Sequence, residues 1–362
     1  MTGVRGRDVE ALLNPTREFW QGRRVLVLGH TGFKGAWLSL WLLRLGADVA
    51  GLSLPPPTQP SLFALAGLAA LIPTDIGDIR VLPTVQTAMA RWRPEIVFHL
   101  AAQALVRWSY REPVETYATN VMGTVHVLEA ARVTQSVRGV VVVTSDKCYQ
   151  NNEWPWAYRE TEAMGGDDPY SSSKGCAELV AAAYRRSFFP AIATARAGNV
   201  IGGGDWAEDR LLPDCVRALT TDQPIAIRNK SAVRPWQHVL EPLCGYLLLA
   251  ERLAADNEFA DAWNFGPADE DAMPVGWLAS FVVREWGQRA SWCEVPAEAV
   301  HEAGALKVDA SRARAKLGWS PRLRLADALR WTIEWHRRLS AGDAALLLAD
   351  EQLARYCAMG AA

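Results

Sequence analysis

The chain has 362 residues, half of them hydrophobic, which at roughly 150 residues per domain allows about two domains and a sizeable core. A formal net charge of −2 excludes the broad basic surface that nucleic acid or an anionic membrane would demand, so any ligand phosphate must be met by a few placed residues. The six cysteines are widely spaced without a CxxC pair and no HExxH occurs, so neither a metal site nor a disulfide framework is expected.

The first twenty residues carry Arg5, Arg7, Asp8, Glu10, Arg17 and Glu18 with no apolar central run, unlike a secretory leader. No uncharged apolar run reaches the roughly 18 residues of a membrane span. A cytoplasmic protein without membrane or nucleic-acid partners is expected.

The first strand, Val25 to Leu28, runs directly into Gly29, His30, Thr31, Gly32, Phe33, Lys34 and Gly35, and a helix pattern covers Ala36 to Leu45. Glycines at this spacing permit a tight turn and let a pyrophosphate approach backbone amides at a helix start, where the dipole favours negative charge. Gly29, Thr31, Gly32, Phe33, Lys34 and Gly35 are therefore the expected dinucleotide contacts. A second strand, Val49 to Leu52, ends in Ser53, Leu54 and Pro55, without the usual ribose-binding acid and without an arginine for a 2′-phosphate. NAD is expected over NADP.

A third strand precedes Asp78 and Ile79, and a fourth, Ile96 to Leu100, ends in Ala101, Ala102 and Gln103; both ends lie where an adenine and its linker would rest. Helix patterns follow at Thr84 to Trp92 and Val114 to Val133, then a strand at Val140 to Thr144 carrying Ser145 at its end. The helix Ser171 to Phe188 opens on YSSSK, which puts Tyr170 and Lys174 on one face. A phenol that ordinarily titrates near 10 must be favoured by roughly 4 kcal/mol to act as a base near pH 7. An ammonium about 5 Å away supplies on the order of 3 kcal/mol at an effective dielectric near 20, and with the positive nicotinamide ring added the shift is within reach. A hydroxyl at Ser145 can bond the substrate hydroxyl that Tyr170 deprotonates.

After a strand at Ile192 to Arg196 the pattern loosens into glycine, proline and tryptophan clusters at Gly202 to Trp206 and Arg234 to His238, with one more short strand at Ala262 to Gly266. The fold class is α/β, a Rossmann-type doubly wound parallel sheet with a smaller, discontinuous α/β substrate-binding domain. Residues 1–198, with about 236–268 returning, form the dinucleotide-binding domain; 199–235 and 269–362 form the substrate-binding domain.

On these motifs the chain resembles the extended short-chain dehydrogenase/reductase family, and within it the nucleotide-sugar 4,6-dehydratases. The closer likeness lies in GHTGFKGAWLSLWL, TSDKCY, DPYSSSKGCAELV, RAGNVIGGGDWAEDRLLPD, RPWQHVLEPL and WNFGP. The resemblance implies an NAD-dependent cycle on a nucleotide-sugar substrate, with cytidine diphosphate glucose as the sugar nucleotide. Carbon 4 is oxidised, water leaves across carbons 5 and 6, and hydride returns to carbon 6. It also implies a cofactor contact at Asn120, in addition to Asp78, Ile79, Leu100, Ala101, Ala102, Tyr170 and Lys174.

Elimination needs an acid for the departing hydroxyl and a base at carbon 5, and Asp146 and Lys147 follow Ser145 directly. Relatives acting on thymidine diphosphate glucose have Asp followed by Glu there, with Glu as base. Here Lys147 is either the base, if neutral, or a cation stabilising the enolate. A 4-epimerase would share Tyr170 and Lys174 without needing Asp146 and Lys147, and a silent dinucleotide sensor could lose the tyrosine or lysine. For the diphosphate the resemblance implies Arg234 and Asn199, with Arg210 and His301 as further candidates; Arg210 has the alternative of a surface ion pair with Asp209 or Asp214. Trp206 and Trp236 are candidates for stacking on a base or sugar. The helices Val114 to Val133 and Gly175 to Phe188 resemble those of the family's subunit interface, which implies a homodimer or homotetramer.

Overall fold

The computed structural model describes residues 14–287, 290–296 and 305–360. Seven strands form one sheet: β1 (Arg24–Leu28), β2 (Asp48–Ser53), β3 (Thr74–Ile76), β4 (Ile96–His99), β5 (Gly139–Val143), β6 (Ile192–Ala197) and β7 (Ala262–Phe265). All neighbours pair in parallel, in the order β7-β6-β5-β4-β1-β2-β3. This is a Rossmann-type doubly wound sheet, and its order reverses between β1 and β4, where the strand carboxyl ends part to leave a crevice.

Alternate strand side chains explain the layering, because a strand points successive residues to opposite faces. On one face Val25, Val27, Phe98, Val141 and Val143 join the core formed with the helices Phe33–Arg44 and Leu240–Ala255. On the other, Leu26, Leu28, Val97, Val140 and Val142 pack with Leu82–Trp92, Gly123–Val133 and Pro169–Ser187. Strands covered on both faces read as the unbroken apolar runs seen in GVVVV. The predicted strands and the main helices of this sheet are all present, shifted by a few residues at their ends.

Two features depart from the sequence pattern. The helix expected over Val114 to Val133 is interrupted by a wider turn, Ala118–Met122, which carries Asn120; such bulges locally displace a side chain from the helical register. The glycine- and proline-rich tail is more regular than its composition suggests. Among the described residues it holds the helices Leu211–Thr220, Val275–Trp286, Ser311–Leu317, Leu325–Ser340 and Ala345–Met359, joined by short strand pairs such as Val233–Pro235 with Ala272–Pro274. The tryptophan load is mostly core: Trp20, Trp37, Trp41, Trp263, Trp319 and Trp335 are fully buried.

A buried ion pair ties the second face of the sheet together. Glu178, on the helix Pro169–Ser187, accepts from Arg196 Nη2 of β6 and from the Thr194 hydroxyl, each at 2.7 Å, and from the Thr144 hydroxyl beyond β5. Burial pushes the Glu178 carboxyl up, but the Arg196 charge and these donors prevail and hold it below its usual range. Arg196→Met strands that carboxylate and is expected to cost about 3–5 kcal/mol, read as a lower urea midpoint at pH 7. Since a depressed carboxyl contributes stability only while ionised, the difference between variant and parent should narrow as pH falls through its folded value.

Candidate active site

At the crevice, β1 ends in Gly29, whose φ is +90° and whose N–H bonds Leu52 O at 2.9 Å. A β-carbon there would lie 2.6 Å from the Ala101 nitrogen, and one at Gly35 only 2.1 Å from Gly29 O, so the chain itself demands both glycines. Gly32 differs: its φ is −79°, no side chain caps the helix it opens, and a β-carbon would meet only Gly29 O at 3.4 Å. The space above Gly32 and the free amides of the helix start therefore fit a pyrophosphate rather than an internal packing need. Phe33 and Lys34 begin that helix, and Leu100, Ala101 and Ala102 follow β4 across the crevice.

Where a ribose-binding acid is absent, the Thr31 hydroxyl lies 2.7 Å from the Ser53 hydroxyl and bonds Leu54 O at 2.9 Å. Asp78 accepts from both the backbone N–H and the side chain of Arg80 at 2.8 Å, and Ile79 is buried beneath Gly123. Asn120 uses its whole amide internally, accepting from Gln103 N and donating to Gln103 O and to the Ser173 hydroxyl at 2.8–3.0 Å. It therefore clamps the segment after β4 to the helix that carries Tyr170.

That helix begins at Pro169, with Asp168 capping it by accepting from Ser171 N at 2.9 Å. Tyr170, Lys174 and Glu178 recur every four residues on its buried face. Ser145 caps the short turn Asp146–Cys148 at the end of β5. Its hydroxyl donates to Asp146 Oδ1 at 2.9 Å and favours the ionised form of the Tyr170 phenol. Lys174 Nζ reaches Val143 O at 3.4 Å, and the Lys147 side chain is half-buried beside Asp146.

Burial governs the titration of these groups. It raises Tyr170 to about 12, against the Ser145 hydrogen bond, and lowers Lys174 to about 8 against the attraction of Glu178. Burial also raises the Asp146 carboxyl, although Lys147, Arg234 and Lys34 pull the other way. Asp146 Oδ2 has no protein partner among the described residues. Once it carries a proton, a carboxyl with a free oxygen is a competent proton donor. In the protein alone the buried phenol therefore stays protonated at neutral pH, and the positive nicotinamide ring is needed beside Lys174 to make it acidic.

Sequence reasoning placed Lys34 on the dinucleotide turn alone. Its ammonium lies 5.9 Å from the centre of the buried Tyr246 ring and within the fields of Asp146, Asp205, Lys174 and Arg210. Burial, reinforced by Arg210 and Lys174, lowers it to about 7. Tyr246 gave no signal because it sits within an apolar helix pattern. Glu178 did have one, four residues past Lys174.

On the substrate side, Arg234 is buried in the strand Val233–Pro235, bonds Val233 O at 3.0 Å and reaches Asp146 with its charge. Asn199 lies just after β6, its carbonyl accepting from Gln237 N at 3.0 Å. Arg210 pairs with Asp205 at 3.2 Å, whereas Asp209 and Asp214 pair with Arg228 and Arg217, which corrects the expected ion pair. His301 lies outside the described residues. Trp206 packs edge-on against Trp335 and His336, and Trp236 is buried.

Residues 25–266 match the model of the NAD dependent epimerase/dehydratase family. A CDP-glucose 4,6-dehydratase of Salmonella typhimurium is 52% identical over 94% of this chain and 98% of its own. A dTDP-glucose 4,6-dehydratase of Streptomyces antibioticus is 26% identical over 86% of this chain and 92% of its own. Among solved structures, a UDP-glucose 4-epimerase of Thermotoga maritima with UDP-glucose superposes with a TM-score of 0.77 at 23% identity, covering 87% of this chain and 99% of that one. A dTDP-glucose 4,6-dehydratase of Streptomyces venezuelae with NAD bound gives 0.75 at 23% identity, covering 89% and 99%. The chain belongs to the NAD dependent epimerase/dehydratase family.

The glycine geometry separates two variants. Gly35→Ala should lower the melting temperature by several degrees, since forced overpacking typically costs about 1–3 kcal/mol. Gly32→Ala should leave the melting temperature of the cofactor-free protein unchanged yet weaken NAD binding at least tenfold, measured by calorimetric titration.

Proposed function

We propose that the chain is a lyase that converts CDP-D-glucose to CDP-4-dehydro-6-deoxy-D-glucose and water, using NAD held on the turn at Gly29, Gly32 and Gly35. The observation that carries the reading is the run Ser145, Asp146, Lys147 beside the helix of Tyr170: its buried acid, Asp146, leaves one oxygen without a protein partner among the described residues. A 4-epimerase, which moves hydride without expelling water, has no use for such an acid. Identity of 52% to a CDP-glucose 4,6-dehydratase along nearly the whole chain supports the same choice.

In this reading Tyr170 takes the proton from the carbon 4 hydroxyl while Ser145 holds that hydroxyl, and Lys174 balances the phenolate. Bound NAD supplies the hydride acceptor at carbon 4, the donor at carbon 6 and a positive charge beside the phenol. Asp146 protonates the departing carbon 6 hydroxyl through Oδ2. Lys147 either removes the carbon 5 proton or stands as a cation facing the enolate. Residues 1–198 and about 236–268 bind the dinucleotide; 199–235 and 269–362 hold the substrate, with Arg234, Asn199, Arg210 and His301 at the diphosphate.

The working place proposed is the cytoplasm; no described helix is long and apolar enough to cross a membrane. A homodimer or homotetramer is proposed through the helices Gly123–Val133 and Pro169–Ser187, which adjoin one another and expose Val133, Leu179 and Phe188. Their burial between subunits would account for apolar side chains left in water.

Incubation with NAD and a panel of glucose nucleotides tests the assignment. CDP-glucose should give the 4-keto product, and preference for the thymidine or uridine compound would overturn the substrate. Tyr170→Phe and Asp146→Asn should each lower kcat/KM by about 10²–10⁴-fold. Because Lys174 acts as a cation, kcat/KM should fall as pH rises through about 8. For Lys147→Ala, lost deuterium uptake at carbon 5 marks the base, whereas uptake and turnover both undiminished remove Lys147 from the chemistry.

A further inference from the structure

Proton balance sets a requirement that the proposed reaction does not meet by itself. In one turnover hydride moves from carbon 4 to carbon 6, and the carbon 5 proton is removed and restored. The proton of the carbon 4 hydroxyl goes to Tyr170, and the departing carbon 6 hydroxyl leaves as water with a proton from Asp146. Tyr170 therefore ends with one proton too many and Asp146 with one too few. No second turnover can begin until a proton has left the phenol and another has reached the carboxylate.

One hydroxyl stands between the two groups. Ser145 Oγ donates to Asp146 Oδ1 at 2.9 Å, and the turn it caps packs on the helix that carries Tyr170, whose ionised phenol Ser145 favours. The contact is enforced by packing: the turn Asp146–Cys148 lies against the first turns of the helix Pro169–Ser187. Gly175 permits this approach, since a β-carbon there would come within 3.2 Å of Cys148 O and 2.9 Å of Gly165 O. Ser145, Asp146 and Tyr170 are only 6, 3 and 8% exposed, so solvent has poor access to all three. Asp146 divides its oxygens, with Oδ1 committed to Ser145 and Oδ2 without a protein partner among the described residues.

We propose that Tyr170, Ser145 and Asp146 form a closed proton circuit, in which the proton taken from the sugar's carbon 4 hydroxyl is returned through Ser145 to Asp146 and resets the enzyme without solvent. After water has left, the Ser145 O–H gives its proton to Asp146 Oδ1 while the Tyr170 O–H gives its own to Ser145 Oγ, and a half-turn of the carboxyl about Cβ–Cγ then carries the new O–H to the position from which Oδ2 donated. Two O–H bonds break and two form, nothing is oxidised or reduced, and the three groups together keep a charge of −1. The active pair, phenolate with carboxylic acid, and the spent pair, phenol with carboxylate, then differ only in where one proton sits. Ser145 thereby acts twice, first on the substrate hydroxyl and then as the return path. The proposal rests on the site roles given above.

Single-turnover and steady-state rates separate the two roles of Ser145. With NAD-loaded enzyme in excess over CDP-glucose, Ser145→Ala should still make one equivalent of product, up to about tenfold slower than the parent. Its steady-state rate should fall at least a further tenfold and climb with imidazole concentration at fixed pH, as the buffer carries the proton instead. Ser145→Thr, which keeps a hydroxyl, should bring the two rates back together without buffer. Equal loss in both regimes with no response to imidazole would overturn the circuit. So would a parent enzyme whose steady-state rate already rises with imidazole, a measurement that needs no variant. Failure of the parent to make the 4-keto product in a single turnover would instead count against the dehydratase reading itself.

Discussion

The placement of the helix Pro169–Ser187 on the end of β5 is the constraint from which the rest of the site follows. Glu178 fixes it, because a buried carboxylate is tolerable only with its donors in place, and here Arg196, Thr194 and Thr144 supply them. Two turns earlier on the same face, Tyr170 is thereby brought to Ser145, and Lys174 to the last carbonyl of β5. Asn120 closes the arrangement from the other side by bonding both Gln103 and Ser173. Few side chains thus hold the helix that carries Tyr170, the β5 turn and the segment after β4 in register.

Charge is concentrated in a place where water is scarce. The charges of Asp146 and Lys174 reach Lys34 and that of Arg234 reaches Asp146, while burial opposes charge on Lys34, Asp146 and Lys174 alike. The consequence differs by sign: carboxyl and phenol are pushed toward holding a proton, ammonium groups toward losing one. Solvent has poor access to this site, where Asp146 and Lys174 are only 3 and 6% exposed. A cofactor and an anionic substrate entering it would change every one of these equilibria, so acid and base roles belong to the filled site rather than to isolated residues.

Resemblance and geometry bear on different parts of the reading. The fold is shared with 4-epimerases at a TM-score of 0.77, and Tyr170 with Lys174 would serve either chemistry. On the proposed reading Asp146 and Lys147 distinguish them, and the surroundings of Asp146 include Gly198 just after β6, Arg234 of the strand Val233–Pro235 and Lys34 of the glycine turn. Arg234, for instance, was expected only at a phosphate, yet its charge reaches Asp146.

The sheet, its order of strands and helices, the glycine turn and the pair Tyr170 and Lys174 were legible in the sequence because each depends on local periodicity or on short spacing. Gly29 and Gly35 were legible for the same reason, although the contacts that require them, with Ala101 and with Gly29 O, are visible only in the fold. What tertiary structure alone decided is which distant side chains share the buried pocket. Lys34 meets Tyr246, Arg210 takes Asp205 rather than Asp209 or Asp214, and Asn120 spends its amide on Gln103 and Ser173. Residue spacing carries no information about such pairings. They arise where strands far apart in the chain end at one crevice, and burial there sets both the partners and the protonation of each group.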